Sequence, residues 1–300
     1  MSRIVVITNP ASGRGHGARA LPRVRAAFSA VGVADVRATP SEGREARAVR
    51  DALDDGATTI AVVGGDGTWG RCAAALVESG ADASMAFLSG GTGNDFAKNL
   101  AAPSRDYEAM AALIAGTHSE IRADLGCIEH EGGRDLFLNV AGFGFDVAVL
   151  ERIQRGGRLT GSAVYIAAAA RELFSYPGFT LRRDGGAPRP ALMFVVSNGL
   201  NFGGAFRIAP AARVDDGQLD FIEIGDIRGL ERLPLFVRAL RGAHLSDRRV
   251  TADRAATSEL SFDAPPAFEL DGEMRYAAST EVRVRSLPRA LRVIAGPATV

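Results

Sequence analysis

Three short apolar runs, Ile4 to Ile7, Thr59 to Val63 and Met85 to Leu88, each break into a glycine-rich turn, and the first two turns lead straight into helical periodicity. This pattern constrains the fold more than any other, because strands alternating with helices pair in parallel and need helices on both faces of their sheet. After the first run, Leu21, Val24, Phe28 and Val31 recur at three- and four-residue spacing, the signature of one buried helix face, with Pro22 tolerated near its first turn. Val33 to Arg37 predicts a weaker strand, Glu42 to Leu53 an amphipathic helix and Ala73 to Val77 a further helical stretch. Ligands of open parallel sheets collect at the carboxyl ends of strands, so the three turns are where chemistry is expected.

The first turn, Thr8 to Gly15, is small and glycine-rich. It lets an anion approach the backbone and offers it free amides at a helix start, although a plain tight turn has the same composition. The second, Gly64-Gly65-Asp66-Gly67-Thr68, projects a carboxylate at the sheet edge; an aspartate that only caps the next helix does not need three flanking glycines. The third, Ser89-Gly90-Gly91-Thr92-Gly93-Asn94-Asp95-Phe96, brings a second carboxylate to the same edge. Three such loops suit a phosphate chain held by backbone amides, with a divalent cation between phosphate and carboxylates.

Composition narrows how that phosphate can be neutralised. Lys98 is the single lysine, and its Asp-Phe-Ala-Lys-Asn context provides neither a P-loop Gly-Lys-Ser/Thr step nor the strand lysine of protein kinases. Amides, arginine and metal are left to do that work. The 35 basic and 35 acidic residues cancel, so no global field draws the chain to nucleic acid or to an anionic membrane. Cys72 and Cys127 stand too far apart for a CxxC clamp and read as reduced structural thiols; the four histidines have no ligand spacing, and His16 reads as solvent-exposed. The opening apolar run is too short for a signal peptide and no stretch approaches a membrane span, so a cytoplasmic protein is expected, with peripheral membrane contact left open.

Beyond Asp124 the pattern changes to short strands separated by Gly, Pro and Asp turns: Leu136 to Val140, Phe179 to Arg182, Leu192 to Ser197, Leu219 to Ile224, Glu259 to Phe262, Ala267 to Leu270 and Val282 to Val284. A second, mainly antiparallel β domain is predicted, interrupted by helices over Val147 to Phe174 (broken at Gly156-Gly157) and Leu230 to Leu240. The division is expected at 1–123 and 124–287. Two acidic turns stand out. Asp215, Asp216 and Asp220 are dense enough for a hard-cation site as well as a turn, and Glu269, Asp271 and Glu273 flank a glycine that hairpin chemistry explains equally well. Arg152, Arg155 and Arg158, followed by Ala163 to Ala170 and Phe174, read either as a basic and apolar membrane-docking surface or as a buried helix with a charged end.

Taken in order, Asn9-Pro10 with Ser12-Gly13, Gly64-Gly65-Asp66-Gly67-Thr68, Gly91 to Ala97, Asn139 to Asp146, Asn198-Gly199, Gly203-Gly204, Pro210-Ala211, Asp215-Asp216-Gly217 and Leu270 to Glu273 resemble the diacylglycerol kinase-like catalytic family nearly end to end. That family holds bacterial diacylglycerol and other lipid kinases, is related to sphingosine and ceramide kinases and, distantly, to NAD kinases. The resemblance, rather than the pattern, implies the return of 288–300 to the first domain, and with it a nucleotide-binding α/β domain, a β-sandwich-like lipid-substrate domain and an active-site cleft between them. It implies ATP contacts at Asn9, Thr39, Gly64, Gly65, Asp66, Gly67, Thr68, Trp69, Gly70 and Thr92, and catalytic Mg2+ supported by Asp66 and Asp95. It also implies a structural Mg2+ on the Asp216 side chain with the carbonyls of Arg213 and Gln218, and Glu273 as general base with Asp271 beside it. The activity implied is transfer of the ATP γ-phosphate to a diacylglycerol-like lipid, giving phosphatidic acid, by a protein that meets its substrate at a membrane surface and forms a homodimer. NAD kinase and a non-catalytic nucleotide- or lipid-sensing module are the alternatives. One departure is Trp69-Gly70-Arg71, where many members have a small apolar residue and then Asn-Glu; Arg71 is expected to add cationic charge near the phosphates.

Overall fold

The computed structural model describes residues 3–40, 43–91, 93–155, 170–227 and 229–296. The chain divides into two compact units, Met1–Ala123 with Arg289–Val300, and Asp124–Pro288.

The first unit is a parallel sheet. β1 (Ile4–Thr8) pairs with both β2 (Val36–Ala38) and β3 (Thr59–Gly64), and β3 pairs with β4 (Ser84–Ser89). The chain steps outward from β1 to β2 and then returns to the other side at β3, so the topological switch point lies between the carboxyl ends of β1 and β3. Arg292 and Val293 of the last strand, β15 (Glu281–Ala295), extend this sheet in parallel beside Ser84 and Met85. Alternation along the strands sorts the two faces. Val6, Ala61, Val63 and Leu88 pack with α1 (Ser12–Ala30) and α4 (Tyr107–Ala115). The opposite face meets α3 (Asp66–Ser79), whose Trp69 lies against Phe87 with ring centroids 5.2 Å apart; α2 (Glu45–Asp54) packs on α3. β2 starts three residues later than the pattern predicts because the Val33 amide is taken by Phe28 O at 2.9 Å, closing α1. α3 begins at Asp66 itself, absorbing Gly67 and Gly70 into a helix that the apolar spacing shows only from Ala73.

The second unit is antiparallel. β9 (Arg189–Ser197) is its centre, pairing with β7 (Val140–Gly144), β8 (Phe179–Arg183) and β10 (Leu219–Gly225); β11 (Val250–Ala255) adds to β10. β12 (Thr257–Phe262) joins β8 to β15, and the hairpin of β13 (Ala267–Leu270) and β14 (Glu273–Tyr276) adds to β7. Ala191, Phe194 and Val196 face one core with Phe143, Phe221 and Phe268, whereas Met193 and Val195 face another with Val149, Phe206 and Leu235. Both faces of β9 are therefore covered, the second by α5 (Phe145–Arg155) and α6 (Arg232–Leu240). β5 (Ser119–His130) carries the chain from the first unit into the second and pairs with β6 (Gly133–Phe137). The single strand predicted over Leu136 to Val140 is two, β6 and β7, parted at Leu138-Asn139 because the amides there turn to a side chain described below. Residues 170–175 are helical, while 156–169, with most of the predicted membrane-docking segment, lie outside the described residues. No described helix is long and apolar enough to cross a membrane.

Candidate functional site

In the first unit the three glycine turns meet backbone to backbone. Gly90 N donates to Gly64 O at 2.6 Å. A Cβ on Gly91 would lie 2.6 Å from Gly65 Cα, and one on Gly13 would lie 2.6 Å from Gly90 O. Side chains at these positions would wedge the loops apart, which is the physical reason for glycine at the meeting point. Asp66 opens α3, yet its Oδ1 accepts from the amide of Asp95 at 2.7 Å and of Phe96 at 3.5 Å. The carboxylate thus ties the second loop to the third.

Asp95 is buried, and Lys98 Nζ donates to its Oδ1 at 2.5 Å, so the one lysine neutralises this carboxylate. Asn9 is also buried: Nδ2 donates to Glu45 Oε1 at 2.6 Å and Thr68 Oγ1 at 3.1 Å, while Oδ1 accepts from Ala11 N at 2.9 Å. Glu45 is wholly buried and receives Arg71 through Nε at 3.1 Å and Nη2 at 2.9 Å. Arg71 therefore serves an internal ion pair, correcting the expectation that its charge goes to phosphates. Trp69 is wholly buried, with Nε1 donating to Val62 O at 3.3 Å, so its indole belongs to the core. Only the Trp69 backbone remains for a ligand. Thr39, at the end of β2, is buried, and its Oγ1 has no hydrogen-bond partner among the described residues, as with Thr8. Thr92 lies outside the described residues.

In the second unit, Asp271 and Gly272 form the two-residue turn between β13 and β14, both at positive φ (50° and 89°). Such a turn twists with its strands, and Asp-Gly suits it. Asp271 is buried and its carboxylate accepts from Leu138 N at 2.7 Å, Asn139 N at 2.9 Å and Val140 N at 3.0 Å. It is an anchor for the β6–β7 turn. Glu273, partly exposed, has Oε2 2.9 Å from Arg275 Nη2. Around the anchor, Asn198 Nδ2 donates to the carbonyls of Asp124 and Leu138, each at 2.8 Å, and Asp124 Oδ2 accepts from Gly217 N at 2.6 Å.

Two further buried carboxylates escape sequence reasoning. Glu45 sits in an amphipathic pattern that reads as a solvated face, and nothing local reveals its burial. Asp146 ends a Gly-Phe-Gly-Phe-Asp motif, and the glycine signals it: a Cβ on Gly142 would lie 1.6 Å from Asp146 Oδ2. Neither oxygen of Asp146 has a hydrogen-bond partner among the described residues, and burial pushes its carboxyl up to about 7.

Mg2+ needs carboxylate or carbonyl oxygens not already held by a cation. Asp216 Oδ1 accepts from Gln218 N at 3.1 Å, and Oδ2 takes the Arg254 guanidinium. Arg254 also lies 3.6 Å from Asp220, whose carboxyl burial pushes up to about 6. With a guanidinium seated on its only carboxylate, the set Arg213, Asp216 and Gln218 does not fit a divalent cation unless Arg254 moves. Asp66 stands half-buried among the glycine loops, where its Oδ1 accepts from the Asp95 amide.

Residues 3–127 match the diacylglycerol kinase catalytic domain, and residues 139–295 match the YegS C-terminal NAD kinase beta sandwich-like domain. A diacylglycerol kinase of Mycobacterium tuberculosis is 28% identical over 98% of this chain and 95% of its own. A Xanthomonas euvesicatoria protein named "Probable lipid kinase YegS-like" is 29% identical over 86% of this chain and 85% of its own. The crystal structure of a diacylglycerol kinase from Bacillus anthracis superposes with a TM-score of 0.74 over all of this chain and 98% of that one, at 22% identity, a likeness of fold. With the glycine loops and Asp66 in place and its two halves matched in turn, the chain belongs to the diacylglycerol kinase-like family of lipid kinases.

Proposed function

We propose that the protein transfers the γ-phosphoryl group of ATP to the hydroxyl of a diacylglycerol-like lipid, giving phosphatidic acid. The observation that carries the reading is the backbone-to-backbone junction of three glycine loops around Asp66 at the switch point of a parallel sheet, in a chain of this family. Amides of Gly64, Gly65 and Gly67 cradle the phosphates, with Thr68 and the Thr39 hydroxyl, which has no partner among the described residues, as further contacts. Asp66 would hold Mg2+, which supplies charge neutralisation at the phosphate oxygens. In the second unit Glu273 accepts the hydroxyl proton. The lipid oxygen then bonds to the γ-phosphorus, the bond from that phosphorus to the β-bridging oxygen breaks, and ADP leaves. Asp271 holds the turn that positions Glu273, and Arg275 orients its carboxylate.

The test is incubation with labelled ATP, Mg2+ and separate diacylglycerol, ceramide, sphingoid base, phosphatidylglycerol and NAD acceptors. Label is expected in diacylglycerol. Label confined to NADP would overturn the lipid assignment, and no product with any acceptor would favour a sensing module. Glu273→Gln is expected to lower kcat by roughly a hundredfold to ten-thousandfold, the usual worth of a positioned base, and Asp66→Ala to abolish transfer.

A further inference from the structure

We propose that α6 and the neighbouring Phe174 form a surface that docks on an anionic lipid bilayer. The proposal deepens the lipid-kinase reading and rests on it for the choice of occupant. Among the described residues the exposed large apolar side chains are Phe174 (54%), Leu230 (77%), Leu233 (45%), Val237 (44%) and Tyr276 (69%). Four of these five belong to one place. Leu230, Leu233 and Val237 follow each other at three- and four-residue spacing along the helical turn Gly229–Glu231 and α6, so they share one face. Phe174 is held beside that helix by Arg232, whose buried guanidinium donates to Leu173 O and Tyr176 O, both at 2.8 Å, and to Ile227 O.

Three observations favour a bilayer as the occupant. First, charge: residues 228–249 carry six arginines against two acidic residues in a chain whose formal charge is zero. Glu231 is already paired with Arg249 at 2.7 Å and Asp247 with both Arg249 and Arg238, whereas Arg241 and Arg248 are exposed with no ion pair among the described residues. An apolar stripe rimmed by arginine is the pattern that lies in a bilayer interface, the side chains entering the acyl boundary and the guanidinium groups meeting anionic head groups. Second, the inner side of the same helix roofs a small apolar pocket of about 60 Å³ lined by Phe145, Leu192, Phe202, Ile224 and Phe236, so the helix is apolar on its inner as well as its outer side. Third, the helix is firmly seated: Leu235 and Ala239 are buried and Phe236 meets Phe206 edge-on at 5.0 Å. The outward leucines are therefore not core residues displaced by loose packing.

The test is flotation of the full chain with phosphatidylcholine vesicles and with phosphatidylcholine–phosphatidylglycerol vesicles. Binding is expected on the anionic vesicles only, weakening as salt is raised. L230Q/L233Q/V237Q, all at exposed positions, is expected to lose roughly tenfold or more of that binding with an unchanged melting temperature. Its rate on vesicle-borne diacylglycerol should fall while the rate on a short-chain, water-dispersed diacylglycerol holds. R241E/R248E is expected to remove the salt-sensitive part. Wild-type chain that ignores anionic vesicles, or a triple variant that floats as well as wild type, would overturn the proposal. So would a wild-type dimer that the triple variant makes monomeric while neither floats, which would assign the stripe to a second copy. If flotation behaves as expected but no acceptor is phosphorylated, the kinase reading fails and the docking surface stands.

Discussion

Glu45 sits where no solvent reaches it, and three side chains from distant points of the chain answer it: Asn9, Arg71 and, through Asn9, Thr68. A buried carboxylate deprived of its guanidinium is costly, more so than replacing the pair by apolar residues. Arg71→Ala is therefore expected to destabilise the protein by about 3 kcal/mol, read from denaturant unfolding, with recovery of much of that loss when Glu45→Gln is added. An unchanged unfolding midpoint in the single variant would show the pair to be idle. The departure Trp69-Gly70-Arg71 is thus a matter of packing: the indole fills the core against Phe87 and the arginine neutralises a buried acid. A sequence shows the unusual residues there but not their partners, because Glu45 and Arg71 lie 26 positions apart and burial is not a local property.

At the scale of elements, turn chemistry links what the strands alone leave apart. Asp271 is both the first residue of a positive-φ hairpin turn and the acceptor for three consecutive amides at the end of β6 and the start of β7. Removing that acceptor leaves buried N–H groups without partners. Asp271→Ala is expected to cost on the order of 3 kcal/mol and to raise hydrogen exchange at Leu138, Asn139 and Val140 while leaving exchange in β1 and β3 unchanged. Protection persisting at those three amides would refute the anchor. The hairpin and the acidic pair were alternatives on sequence grounds, and the structure shows the hairpin with Asp271 as its anchor; Glu273 alone, partly exposed on β14, keeps the general-base proposal. The merged strand over Leu136 to Val140 has the same origin, since apolar continuity conceals a break whose cause lies more than 130 positions further on.

For the whole molecule, pH dependence follows from carboxylates that folding places out of water. Asp146 has its carboxyl raised from 3.8 to about 7 by burial, facing Tyr176, whose own hydroxyl burial and Asp146 push up to about 12, and sharing the space over Gly142 with Glu269. A carboxyl raised on folding binds its proton more tightly in the folded state, so its contribution is complete below about pH 4 and is lost as pH rises through about 7. Asp146→Asn removes that loss and is expected to be more stable than wild type by on the order of 4 kcal/mol above pH 8, with the difference vanishing near pH 4, as followed by melting temperature against pH. A pH-independent difference would mean that Asp146 does not titrate in this range. The sequence by itself determined the parallel sheet, its three glycine turns, Asp66 at their centre and the change to antiparallel strands, because periodicity and glycine demands are written in neighbouring residues. Tertiary structure alone decided which partners the carboxylates meet. It gave Asp95 to Lys98, Asp216 to Arg254, Glu45 to Arg71 and Asp271 to three amides, and it turned the stripe of α6 outward, since charge partners and exposure are set by what the fold brings close.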